Sequence, residues 1–158
     1  MAAPLIEESI EINAAADDVW AVISDLRRMG EWSPQCKKMF MLGGPVGVGT
    51  RTLNINRQGL KVWPTTAKVI RVSPGTELAF RIGENRTVWS YTIEPSTNGV
   101  RVTERREAAN GTTTWISSFF VDKLLGGNDD FEAELKAGMA ETLGKIKEAA
   151  ESSATRAA

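Results

Sequence analysis

The chain contains no histidine, one cysteine (Cys36) and one tyrosine (Tyr91) among its 158 residues. This removes Ser/His/Asp and Cys/His nucleophilic machinery, the commonest zinc ligand sets, and the side chain that most readily exchanges protons near neutral pH. Acid–base chemistry therefore falls to Asp, Glu, Tyr or Lys. In "VRVTERREA" a two-residue strand period that turns Val100 and Val102 inward puts Glu104 and Arg106 on the same face. Two placements are open for this charged pair. Solvent-facing strand ends cost least, since an unsatisfied charge in a hollow is expensive; inward placement would let the pair orient a ligand carbonyl or hydroxyl. Tyr91 is the only phenol available as a weak acid, and its simplest role is a core aromatic with its hydroxyl at a rim. Glu104 and Tyr91 are thus the candidate catalytic groups, while the lone thiol of Cys36 reads as inert packing.

Other motifs carry less. "LGGPVGVGT" is rich in glycine but lacks a GKS/T ending and a following helix to supply a positive N-terminus, so it reads as a hairpin turn. The acidic residues of "DKLLGGNDDFE" do not have calcium-loop spacing and suit the start of a helix, so no metal is expected. Nothing in the sequence asks for a cofactor. The tripeptides at Asn85 and Asn110 match a glycosylation pattern that has no meaning without secretion.

Five tryptophans, at positions 20, 32, 63, 89 and 115, are many for a chain with a single tyrosine. Trp20 lies on a helix that must pack on something and reads as core. Trp32, Trp63 and Trp89 could instead line a hollow for an apolar ligand, with Met39, Met41 and Met139 as soft, adaptable walls.

The elements that would position these residues follow from periodicity. "LIEESIEI" (5–12) reads as a strand, and "NAAADDVWAVISDL" as a short helix with Val19, Trp20, Val22, Ile23 and Leu26 on one face and Asp17 and Asp18 in its first turn. "DLRRMGEWSP" adds at most one more turn, because the residue before Pro34 is pushed out of the α region and the chain must bend. From Lys37 to Ala109 six strand candidates alternate with turn residues, which implies an antiparallel meander; Pro64 predicts a bulge or a sheet edge. The last segment returns to helical spacing, with Phe131, Leu135, Met139, Thr142, Leu143 and Ile146 on one stripe, Asn128 or Asp129 as cap, and a frayed, disordered tail over 151–158.

The composition, 42% hydrophobic and 25% charged with a net charge of −1, fits one domain over residues 1–150 and offers no general basic excess for nucleic acid or an anionic membrane. No apolar run approaches a membrane span and the opening residues lack a leader pattern, so a cytoplasmic protein is expected, as monomer or homodimer.

Four stretches together resemble the polyketide cyclase/dehydrase branch of the START/Bet v 1-like (SRPBCC) superfamily: "AAADDVWAVISDLRRMGEWSP" (14–34), "GGPVGVGTR" (43–51), "WPTTAKVIRVSPGTELAFRI" (63–82) and "WSYTIEPSTNGVRVTE" (89–104). The resemblance implies an α+β helix-grip fold: a seven-stranded curved antiparallel sheet wrapped around a long C-terminal helix, with two short helices between strands 1 and 2. It further implies a cavity between sheet and helix, closed at one end by Trp32. The residues expected to line it are Trp32, Met39, Met41, Leu53, Ile55, Trp63, Thr65, Phe80, Ile82, Trp89, Tyr91, Val102, Glu104, Leu135 and Met139. The expected ligand is a small hydrophobic molecule such as a lipid, polyketide or aromatic metabolite. Three functions stay open: a binder or carrier; a cyclase or dehydratase acting by orientation, although no counterpart exists for the histidines of some cyclase pockets; and an interaction module with an apolar patch at Phe119, Phe120 and Leu124. The apolar segment 112–127 is expected to pack as a lid or a helical turn near the mouth.

Overall fold

A computed structural model describes residues 5–108 and 128–157. The expectations placed on segment 112–127, on Phe119, Phe120 and Leu124, and on the side chains of Asn128, Asp129 and Phe131 lie outside the described residues.

The chain opens with β1 (Leu5–Ile12), followed by α1 (Ala16–Ile23) and a 3₁₀ turn (Leu26–Arg28) that leads into the one-turn α2 (Met29–Trp32). Six strands follow: β2 (Cys36–Leu42), β3 (Arg51–Gln58), β4 (Lys61–Ser73), β5 (Glu77–Ile82), β6 (Val88–Ser96) and β7 (Gly99–Glu107); the long α3 (Asn128–Ala157) comes last. Each strand from β2 to β7 pairs antiparallel with the next, and β1 closes onto β7, giving the order β1-β7-β6-β5-β4-β3-β2. This is the helix-grip arrangement, with α3 held against the inner face of the sheet and two short helices between β1 and β2. Among the described residues no helix is long and apolar enough to cross a membrane.

The bend at "GEWSP" has a steric cause. A Cβ on Gly30 would lie 2.0 Å from the Lys37 carbonyl oxygen, so only glycine lets α2 pack this close to the start of β2. Ser33 then leaves the helix in an extended conformation ahead of Pro34, and its Oγ accepts a 3.0 Å bond from the Cys36 amide. The bulge or edge expected at Pro64 is an edge. β5 reaches β4 only from Ala67 onward, and the Thr66 N–H points away from β3 to the Glu84 carboxylate, so the missing N–H of Pro64, two residues earlier, faces the same side, which has no strand partner among the described residues. The bulge comes later, between Val69 and Arg71.

The main core joins Val19, Val22, Ile23 and Leu26 from the first helical region to Val69, Leu78 and Val102 of the sheet and Leu143, Ile146 and Ala150 of α3. A smaller cluster of Ile6, Leu135 and Met139 sits apart, with Trp89 packed against both. The tail expected beyond residue 150 is instead helix to Ala157. Glu151 holds this part of α3 to the end of β1, accepting from the Asn13 amide at 2.9 Å, while Lys147 Nζ donates to the Glu11 carbonyl.

Candidate functional site

A cavity of about 450 Å³ lies among the bend after α2, the β3–β4 turn, the inner face of the sheet and α3. One wall is the bend after α2, with Ser33, Pro34, Gln35 and Lys37. The β3–β4 turn supplies Arg57, Gln58 and Gly59, the sheet supplies Trp89 and Glu104, and α3 supplies Glu134, Leu135, Gly138, Met139 and Thr142. At the mouth, Gln58 Nε2 donates to Glu134 Oε2 at 2.6 Å and so joins the hairpin to the helix.

Glu104 is the chemically distinctive wall residue. Register fixes its direction: Tyr91 on β6 and Glu8 on β1 stand directly opposite it, and opposed residues share a face. Of the two placements open from sequence, the inward one is found, with Glu104 3% and Arg106 2% exposed. The Tyr91 hydroxyl, expected at a rim, is fully inside and donates to Glu104 Oε1 at 3.0 Å. Glu104 Oε2 is buried with no hydrogen-bond partner among the described residues. Burial pushes the Glu104 carboxyl up to about 8 against the opposing effect of the Tyr91 hydrogen bond, so at neutral pH this group is a carboxylic acid with a proton to donate. Burial likewise holds the Tyr91 phenol well above its ordinary range. Burial lowers the value for Arg106, opposed by the charge of Glu132 on α3.

Of the residues expected in the cavity, the structure brings together Trp89, Glu104, Leu135 and Met139. Trp32, Met39, Phe80, Ile82, Tyr91 and Val102 are buried in the main core, with Met41 packed against it. Trp32 is buried beside this cavity rather than among its described walls; the guanidinium of Arg28 lies 4.8 Å over its ring, and the three residues after it line the cavity. Leu53 and Ile55 require correction. They sit on the outer face of the sheet, opposite Phe40 and Pro64, and Leu53 is 38% exposed.

The inner face of β3 carries Thr52, Asn54 and Asn56, which satisfy one another and β4. Thr52 Oγ1 donates to Asn54 Oδ1 at 2.8 Å, and Asn54 and Asn56 both donate through Nδ2 to Thr65 Oγ1. Trp63, half-buried opposite Asn56, accepts through its carbonyl from the same amide. The wall residues missed from sequence are Ser33, Pro34, Gln35, Lys37, Arg57, Gln58, Gly59, Glu134, Gly138 and Thr142. Several are turn-type polar residues whose presence in a loop needs no ligand to explain it; the signals in the sequence were the bend at Ser33-Pro34 and the place of Thr142 on the same α3 stripe as Leu135 and Met139.

A family described as polyketide cyclase/dehydrase and lipid transport matches residues 4–151. The solved Polyketide_cyc-like protein Cgl2372 of Corynebacterium glutamicum is 30% identical, with 90% of this chain and 88% of that one covered and a TM-score of 0.57. Two further structures share the fold at lower identity. The Zhui aromatase/cyclase of Streptomyces sp. R1128 is 16% identical with a TM-score of 0.74, covering 93% of each chain. The di-domain ARO/CYC StfQ of the steffimycin biosynthetic pathway is 15% identical with a TM-score of 0.75, covering 96% of this chain and 52% of that one. The present chain thus spans about half of that two-domain protein. No curated protein matches the chain.

Proposed function

Because the chain belongs to the polyketide cyclase/dehydrase and lipid transport family, we propose that its cavity binds a small, mainly hydrophobic molecule, a lipid, polyketide or aromatic metabolite, within the cytoplasm. The observation that carries this reading is the pairing of an apolar surface, Trp89, Leu135 and Met139, with one buried carboxyl oxygen, Glu104 Oε2, that has no hydrogen-bond partner among the described residues. A ligand that lays apolar area on the first gains about 25 cal/mol per Å² removed from water. Its single acceptor, a carbonyl or ether oxygen, takes the proton of the second and relieves an otherwise unsatisfied buried group.

The same carboxyl favours one second reading. An acid that keeps its proton to about pH 8 can protonate a carbonyl or a leaving hydroxyl of a substrate held in place, which is the work of a cyclase or dehydratase acting mainly by orientation.

Native mass spectrometry of freshly purified protein tests the first reading by looking for a co-purified small molecule of suitable size. An apolar, environment-sensitive dye should also bind at micromolar concentration and alter Trp89 emission; absence of saturable binding would exclude it. Incubating the identified ligand with wild type and Glu104→Gln separates the readings. A carrier returns the ligand unchanged, with affinity altered by no more than about tenfold; an enzyme yields a product that Glu104→Gln does not form.

A further inference from the structure

The net charge of −1 conceals an uneven distribution. Between Glu31 and Glu77 the sequence holds seven lysines and arginines and no aspartate or glutamate. The topology folds most of that stretch into one corner of the sheet, β2, β3 and β4. The same corner carries most of the exposed large apolar side chains found among the described residues, with Leu5 the exception.

Register shows how the two properties interleave. On the outer face Phe40 opposes Leu53 and Leu42 opposes Arg51 across β2–β3, while Arg51 opposes Lys68 and Arg57 opposes Val62 across β3–β4. Lys38 lies on the same face, opposite Ile55. An aliphatic and aromatic centre is thus rimmed by cations. At the hairpin tip, where Gly59 adopts a φ of 61°, Leu60 is 95% exposed and Val62 62%.

We propose that this outer corner, led by the β3–β4 turn, docks on the surface of an anionic lipid bilayer. Cations around an apolar centre meet lipid phosphates while the apolar tips enter the headgroup boundary. The stretch has no carboxylate of its own, and those that reach it from elsewhere, Glu84 on Thr66, Glu134 on Gln58 and Glu77 on Arg71, are engaged in hydrogen bonds. A bilayer is favoured over an acidic protein because Leu60 protrudes at a turn. A fluid boundary accepts such a side chain without a matching pocket. Arg57, Gln58 and Gly59 belong to the same turn and to the cavity mouth, so docking brings that mouth to the lipid surface. The inference stands whether or not the cavity reading holds.

Co-sedimentation with vesicles of phosphatidylcholine alone, and of phosphatidylcholine with phosphatidylglycerol, tests this directly. The protein should pellet with the mixed vesicles only, and less as salt is raised. Leu60→Asp should weaken binding about tenfold or more, and Lys38→Gln and Lys68→Gln roughly fivefold each; Leu5→Asp, outside the corner, should bind as wild type. Circular dichroism verifies that each variant is folded, and the two lysine variants serve if Leu60→Asp is not. Equal pelleting with neutral vesicles, no binding to anionic vesicles at low salt, as expected if the corner meets an acidic protein, or pelleting without vesicles, the sign of aggregation through the corner, would each overturn the proposal.

Discussion

Tyr91 and Glu104 face each other directly across the β6–β7 ladder, and the tyrosine hydroxyl is the donor of the 3.0 Å bond between them. Because the phenol gives its proton to Oε1, the carboxyl proton is left on Oε2, the oxygen without a partner among the described residues. One residue thereby fixes which oxygen of the other carries the proton.

The raised value of Glu104 makes stability depend on pH in a defined direction. In the unfolded chain the carboxyl ionises near its ordinary 4.5, whereas the folded protein retains the proton to about 8. Between those values the native state binds more protons, so its stability falls as pH rises through the window and levels off above it. Glu104→Gln carries no such dependence. Urea midpoints of the two proteins should be similar near pH 4 and diverge in favour of the glutamine variant up to about pH 8.

Removing the phenolic hydroxyl should raise the carboxyl value further, since the Tyr91 hydrogen bond opposes the effect of burial. Carbon-detected NMR titration of the Glu104 carboxyl in Tyr91→Phe should place the transition above that of wild type. The lost bond should cost about 1–3 kcal/mol in denaturant. A transition at or below the wild-type value would show that the phenol does not stabilise the ionised form.

On the inner side of β3, Asn54→Ala should cost about 1–3 kcal/mol because it removes the acceptor of Thr52 Oγ1 and one donor to Thr65. On the outer side, Leu53→Ala should cost less, since the side chain is already partly in water. Chemical denaturation of both variants checks the register, and the reverse order would mean that the strand is turned over.

Leu143, 1% exposed in the main core, should not tolerate a charge: Leu143→Asp should cost about 4 kcal/mol or more, whereas Lys136→Asp on the exposed side of α3 should stay within about 0.5 kcal/mol. Thermal melts of the two variants measure the contrast.

Burial pushes the Cys36 thiol up to about 11 from an ordinary 9.0, and its Sγ lies 3.5 Å from the Lys38 carbonyl oxygen. Only the thiolate reacts, so a disulfide reagent at pH 8 should modify the folded protein about a hundredfold more slowly than the urea-unfolded chain. Equal rates would show an accessible, ordinary thiol.

Much of the architecture was legible because it rests on periodicity. The two-residue alternation of 5–12, the helical spacing of Val19, Val22, Ile23 and Leu26, and the turn residues separating six strands all survive in the folded chain. The cavity was less legible, because its direction depends on register. "TLNIN" places Leu53 and Ile55 inside or outside according to a one-residue choice, and the hydrogen bonds among Thr52, Asn54, Asn56 and Thr65 decide it against the usual preference for burying the apolar set. Glu104 likewise could not be placed until its strand had neighbours on both sides. The helix beyond Ser152 depends on Glu151 reaching the Asn13 amide, 138 residues away in sequence.

One side of β4 ahead of Ala67 has no strand partner among the described residues, which has a consequence for how the molecule behaves in a crowd. Where a strand lacks a neighbour, its N–H groups invite a strand from another molecule, the first step toward aggregation. Here Pro64 offers no donor, and the Thr66 N–H is already held at 3.0 and 2.9 Å by the two oxygens of Glu84, whose charge also stands guard over the gap. A single proline and a single carboxylate thus insulate the place where β5 stops short, and Glu84→Ala should be read out in turbidity and shelf life before it is seen in any change of fold.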